Sequence, residues 1–194
     1  MFHSALLTHI RNMLSYVPMS HWVSMGAISL FIALSLMIGR KRSVYSSIVL
    51  GFTVFAGLFL LEEAVVIRYC DILHHSSGVN LEAEHNRIFH GNVWGWTQIF
   101  SNLAAFIPFG FFRSEFLASA KSICAGRRLG LVTLAGFGLS LTIECLQLLL
   151  HVGYFELTDL VMNTVGTFVG ALISAGVRKV VGGRKSRVIC EEHV

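Results

Sequence analysis

Five stretches of predominantly apolar residues, each close to the length of a bilayer crossing, restrict what this chain can fold into more than any other feature. A helix rises about 1.5 Å per residue, so roughly 20 residues cover the ~30 Å of a hydrocarbon core. The stretches fall at 21–39, 44–67, 96–112, 129–151 and 159–181, the third being the shortest and carrying Pro108. Lipid offers no partner to a backbone N–H or C=O, so such segments fold as helices whose hydrogen bonds close internally. The predicted fold class is therefore all-α, a polytopic transmembrane helix bundle of about five membrane-spanning helices. Composition excludes the alternatives: hydrophobic residues make up 54% and charged residues 13%, against about 25% charged in soluble domains. A mean hydropathy of +0.68 with two prolines excludes a disordered chain. Four cysteines without paired spacing give neither a disulfide framework nor a C-x-x-C zinc site.

The net charge of +4 has meaning through its distribution. Lys and Arg gather as Arg40, Lys41 and Arg42, as Arg113, Lys121, Arg127 and Arg128, and as Arg178, Lys179, Arg184, Lys185 and Arg187. Only Arg11, Arg68 and Arg87 fall in the alternate segments. Cytoplasmic loops carry the basic excess, which places the N-terminus outside and the C-terminus in the cytoplasm, as five crossings require. The first span has no A-x-A-like cleavage site and is followed at once by the basic triplet, which favours an uncleaved anchor over a signal peptide. The C-terminal basic cluster follows a span directly, where orientation and anionic lipid account for it, so no nucleic acid partner is expected. Cys190 beyond it is either an acylation site or an unmodified thiol.

Outside the spans, residues 1–20 form an extracytoplasmic N-terminal segment. Phe2, Leu6, Ile10, Met13 and Val17 recur there at helical spacing, the pattern of an interfacial helix, although a frayed terminus fits equally. Residues 68–95 form a long outer loop holding His74, His75, His85 and His90 with Asp71, Glu82 and Glu84. Their spacing matches none of the compact zinc patterns, so neither metal nor cofactor is assigned.

Polar groups at depth in a bilayer cost several kcal/mol unless paired or wet, so those inside the spans need a cause. On the fourth span Ser140, Glu144, Gln147 and His151 recur at i, i+4, i+7 and i+11, one face of a helix. On the fifth, Asp159, Asn163, Gly166 and Gly170 repeat that spacing, and the glycines form G-x-x-x-G. One explanation is structural: a close-packed glycine seam, with Glu144 and Asn163 hydrogen-bonding neighbouring helices. The other is a pocket. The fourth span runs outward and the fifth inward, so Glu144, Gln147, His151, Glu156, Asp159 and Asn163 share the outer half with Ser101 and Asn102 of the third span. Glu62 and Glu63 end the second nearby. Polar side chains from four helices at one level suit a wet, outward-facing pocket with Asn102, Glu144, Gln147, His151, Asp159 and Asn163 as candidate ligand-binding residues.

Asn102 followed by Phe106-Ile107-Pro108-Phe109-Gly110-Phe111, then Ser140 with Ile143-Glu144-x-x-Gln147, then Asp159-x-x-x-Asn163-x-x-Gly166-x-x-x-Gly170, resembles the VanZ-like membrane proteins. The resemblance covers the third to fifth spans, a VanZ-like three-helix core (96–181); hydropathy and charge add two N-terminal transmembrane helices (21–67) before it and a basic cytoplasmic tail (182–194) after it. It implies a small multi-pass protein of the bacterial cytoplasmic membrane, in a family whose founding member is associated with resistance to a glycopeptide antibiotic. It supplies no reaction. Members typically carry an Arg after a Gly in the loop before the Asp helix, whereas this chain reads Gly153-Tyr154-Phe155-Glu156. A neutral phenol lacks the charge and the bidentate fork of an Arg, which speaks against antibiotic resistance here.

These observations favour a non-enzymatic accessory or binding protein of the cell envelope, its pocket holding a lipid head group, a surface polymer or a glycopeptide-type ligand, with membrane lipids as its other partners. The alternative is a membrane-embedded enzyme with Glu144 or Asp159 as general acid/base and His151 as proton carrier. No H-E-x-x-H, G-x-S-x-G, Walker loop or dinucleotide motif supports it. A transporter is less favoured, since no internal repeat supports alternating access in a monomer.

Overall fold

The computed structural model describes Thr8 and residues 17–39, 43–66, 78–79, 93–120 and 123–181. The basic triplet 40–42, most of the N-terminal helix pattern, the loop's histidines and carboxylates, and the tail 182–194 lie outside the described residues. Five long helices carry the fold: α1 (Met19–Gly39), α2 (Val44–Leu61), α3 (Val93–Ala120), α4 (Ala125–Leu149) and α5 (Leu157–Val181). The stretches Met19–Ile38, Val44–Val66, Ala125–Leu149 and Leu157–Val181 are long and apolar enough to cross a membrane. The chain is a multi-pass helical membrane protein. Phe31, Ile38, Leu134 and many other large apolar side chains point outward, as a surface facing lipid requires.

Helix ends follow local chemistry. Ser43 caps α2, its Oγ accepting the Ser46 N–H at 3.2 Å. The C-terminal end of α2 widens into a π-helical turn, Glu62–Val66. Asp159 in the first turn of α5 and Arg178 with Lys179 in its last both complement the helix dipole. Helix α4 stops in a Schellman motif, the Val152 N–H donating to the Gln147 carbonyl at 3.0 Å and the His151 N–H to the Leu148 carbonyl at 3.4 Å. His151 holds the left-handed position there, with φ of 56°.

The third predicted span, 96–112, falls inside α3, which is not among the four described helices long and apolar enough to cross a membrane. Helix α3 has 28 residues and is the longest, not the shortest, because it runs through Pro108 and past the charges at Arg113 and Glu115 to Ala120. Those charges end the apolar run without ending the helix.

The packing partners give the topology. The Gly57 and Phe109 side faces meet, Phe52 stacks on Phe112 at 4.9 Å, and Tyr45 reaches Glu115, so α2 and α3 are antiparallel. Gly166 meets Leu103 and Gly170 meets Ile107, which makes α5 parallel to α3. Gly136 meets Thr167 and Ser140 meets Asn163, so α4 is antiparallel to both. At α1, Trp22 stacks on Phe59 at 5.3 Å while Gly51 lies on Ala33, again antiparallel. Direction therefore alternates along all five helices.

The centre of the bundle is the crossing of α3, α4 and α5 at Thr167, which is fully buried and has Gly110 against its backbone and Gly136 against its side chain. Leu60, Val65, Phe106, Phe109 and Ile143 form one apolar cluster among α2, α3 and α4, and Leu117, Val132 and Ala171 form a second among α3, α4 and α5. A two-residue parallel bridge pairs β1 (Gly78–Val79) with β2 (Tyr154–Phe155) in the register Gly78 with Tyr154. It ties part of the 68–95 segment to the α4–α5 turn.

Candidate functional site

The alternation of helices separates charge between the two ends of the bundle. Among the described residues, all Lys and Arg side chains (Arg113, Arg127, Arg128, Arg178 and Lys179) belong to the end where α3 and α5 finish and α4 starts. Glu62, Glu63, Glu144, Glu156 and Asp159 lie toward the other.

At that acidic end the polar face of α4 turns inward. Glu144 is 2% exposed, and its Oε2 accepts the Glu156 backbone N–H at 2.9 Å. Glu156 immediately precedes α5, so a carboxylate on α4 caps the N-terminus of the next helix, where orphan N–H groups and the helix dipole both favour negative charge. Three residues on, buried Gln147 donates from Nε2 to the Ala64 carbonyl at 3.0 Å, inside the π-helical turn. A π turn breaks the regular i→i−4 pattern, and such turns recur at functional sites. One turn below Glu144, Asn163 donates from Nδ2 to the Ser140 Oγ at 2.9 Å. Thr167 in turn donates to the Asn163 carbonyl at 3.0 Å. Polar contacts thus run down the α4–α5 interface as a ladder. The Asn163 Oδ1 is buried with no hydrogen-bond partner from the protein.

Asp159 stands half-buried one turn above Asn163 on α5. Asn102 is half-buried on α3, one residue before the Leu103 carbonyl on which Gly166 packs. His151 leaves the group: α4 ends at Leu149, and the left-handed turn takes His151 out of the Glu144–Gln147 stripe to an exposed position. Helical spacing extended the stripe one turn too far, since a Schellman stop is usually signalled by glycine and here is built on histidine. Nearby, His21 of α1 pairs with Glu62, which ties the start of α1 to the π turn. Tyr154, at the position where an Arg is typical, lays its ring against Gly78, with an added Cβ there 3.5 Å away. Among the described residues no three His, Cys, Asp or Glu side chains form a group able to hold a metal ion.

A second polar cluster, at the basic end, escapes sequence reasoning altogether. Glu115 of α3 is 5% exposed. Arg178 of α5 grips it bidentately, Nε to Oε1 at 3.0 Å and Nη2 to Oε2 at 2.7 Å. Tyr45 of α2 donates to Oε2 at 2.6 Å, and Ser174 to Oε1 at 2.7 Å. Three helices converge on one carboxylate. The available signal was the α5 seam, since Gly166, Gly170, Ser174 and Arg178 continue one face by steps of four.

The family model described as VanZ/LLP1 matches residues 69–178, more than half of the chain and all of α3 and α4. The match takes in the α3–α5 residues of both polar clusters, leaving Tyr45, Glu62 and Ala64 outside it, and ends on Arg178 itself. No curated protein and no solved structure matches the chain. With the helical membrane bundle in place, the residues that suggested the family packed around α3 to α5, and this match, the chain belongs to the VanZ-like (VanZ/LLP1) family of membrane proteins.

Proposed function

We propose that the chain is an accessory or binding protein of the bacterial cytoplasmic membrane, serving the cell envelope and receiving the polar group of an envelope lipid, surface polymer or glycopeptide-type ligand at its acidic end. Asn102, Glu144, Gln147, Asp159 and Asn163 are the ligand-binding residues of this reading, with His151 at the rim. The observation that carries it is Asn163: a buried amide whose nitrogen is committed to Ser140 while its oxygen has no protein partner, in line with the buried carboxylate of Glu144. A buried acceptor without a donor costs about 1–3 kcal/mol, a deficit that a ligand donor removes.

Glu144→Gln tests this. The amide oxygen still accepts the Glu156 N–H, so folded yield should stay within about twofold, the loss being the charge–dipole contribution of roughly 0.3–1 kcal/mol. Complementation of a deletion strain's envelope phenotype should fail. Full complementation at normal protein level would make the ladder purely structural. An enzyme using Glu144 as general base would instead retain ligand binding and lose only turnover.

The orientation belongs to the same proposal. The basic end faces the cytoplasm, with 182–194 as its tail, and residues 1–20 and 68–95 lie outside. With Cys70, Cys145 and Cys190 replaced by serine, the exposed Cys124 should resist a membrane-impermeant maleimide in intact cells. His151→Cys, with Cys124→Ser added, should react. The reverse labelling inverts the bundle and removes the outward site.

A further inference from the structure

On the outer face of the bundle, beginning level with Asn163 and running toward the basic end along α4, a lateral groove of about 510 Å³ opens between α4 and α5, walled by Leu129, Gly130, Thr133, Leu134 and Phe137 on one side and Thr164 and Phe168 on the other. Gly130 leaves its α4 wall open, since an added Cβ there would meet nothing within 4 Å. Its two threonines contribute no free hydroxyl. Thr133 donates to the Leu129 carbonyl at 2.9 Å and Thr164 to the Leu160 carbonyl at 2.7 Å, so both hydroxyl protons are committed to the backbone. The lining is therefore predominantly apolar, and the groove is open to the outside of the bundle along its length.

The groove also has a charged mouth. Because α4 and α5 are antiparallel, the first turn of α4 and the last turn of α5 lie at the same end of it. Lys179, exposed, sits three turns beyond Phe168 on the same face of α5. Arg127, also exposed, stands two turns before the lining residue Leu134 on the same face of α4, in a first turn that holds no acid. An arginine there opposes the helix dipole and is favoured by an anion beside it. An open apolar groove with two surface cations beyond its basic-end limit is complementary to one class of molecule.

We infer that the α4–α5 groove holds an acyl chain of an anionic phospholipid whose phosphate is bound by Arg127 and Lys179. The long apolar slot selects the chain, and the cations select the head group. A second copy of this chain, laying a helix in the slot, would leave both cations without a counter-charge.

The probe is phosphatidylglycerol against phosphatidylcholine with the same acyl chains, in vesicles of equal parts in which only one of the two is brominated. The full chain carries Phe137→Trp, and the fluorescence added by that substitution reports the groove. Preferential quenching by brominated phosphatidylglycerol is expected, equivalent to roughly thirtyfold tighter occupancy, the factor that two cations near a membrane surface supply. Arg127→Gln with Lys179→Gln, two exposed substitutions, should bring the preference close to one. Equal quenching by the two lipids overturns the inference, as does a preference that survives the double substitution. Quenching by neither lipid means that another protein segment covers the slot, and overturns it as well.

Discussion

Gly166→Leu and Gly170→Leu should each abolish folded protein in the membrane. An added Cβ at Gly166 would overlap the Leu103 carbonyl, and at Gly170 the Ile107 carbonyl, with the Phe111 nitrogen 2.8 Å away. The obstacles are backbone atoms of α3, and a helix backbone has no rotamer into which to retreat. The two parallel helices must then separate along their whole seam, which also removes Thr167 from the position that Gly110 and Gly136 make for it. Overpacking in a rigid core costs about 1–3 kcal/mol for one or two methylenes, and more where nothing can yield. Even Gly166→Ala and Gly170→Ala should lower the thermal midpoint measurably. Gly126→Ala and Gly138→Ala serve as controls on α4, since an added Cβ there meets nothing within 4 Å. They should be neutral, or stabilising by at most about 1 kcal/mol through helix propensity. Monodisperse, folded yield from both leucine variants would show that the seam tolerates separation.

The seam was legible in the sequence because a four-residue repeat of glycine on a helix has one common use between apolar helices, close approach. The same period revealed that Ser140, Glu144 and Gln147 share an inward face, since lipid is no partner for a carboxylate. Periodicity carries no stop signal, however, and His151 satisfied the repeat while sitting at the residue that ends the helix. The carboxylate's actual partner, the N–H of Glu156, was likewise out of reach, because a backbone group leaves no mark on composition. The Ala64 carbonyl that binds Gln147 depends on a π turn, which local sequence does not announce. Hydropathy misjudged Glu115 for a related reason. A window average treats a charge as the end of an apolar segment, whereas the helix continues past a charge that is neutralised from a distant helix.

That neutralisation predicts the second large effect. Arg178→Met should destabilise the bundle by roughly 3–5 kcal/mol, the cost of leaving a buried charge unpaired. It strands a carboxylate whose side chain is 6% exposed with only the Tyr45 and Ser174 hydroxyls as donors. Glu115→Met should be milder. The Arg178 side chain is 34% exposed and can extend its guanidinium to the aqueous interface once released. Arg178→Lys should recover only part of the loss, because an ammonium cannot reproduce the paired contacts of Nε and Nη2. The discriminating variant carries Glu115→Met and Arg178→Met together. With no charge left to strand, it should be more stable than Arg178→Met alone, since apolar replacement of a whole buried pair is often close to neutral. Reversible unfolding in mixed micelles gives all three free energies, and their double-mutant cycle should yield a coupling of at least about 1 kcal/mol, above the few tenths seen for independent sites. Simple additivity would mean that Glu115 and Arg178 stabilise their helices separately. Strong coupling would make this one carboxylate the junction of α2, α3 and α5, a tie among three helices that the pairwise polar contacts described at the acidic end do not match.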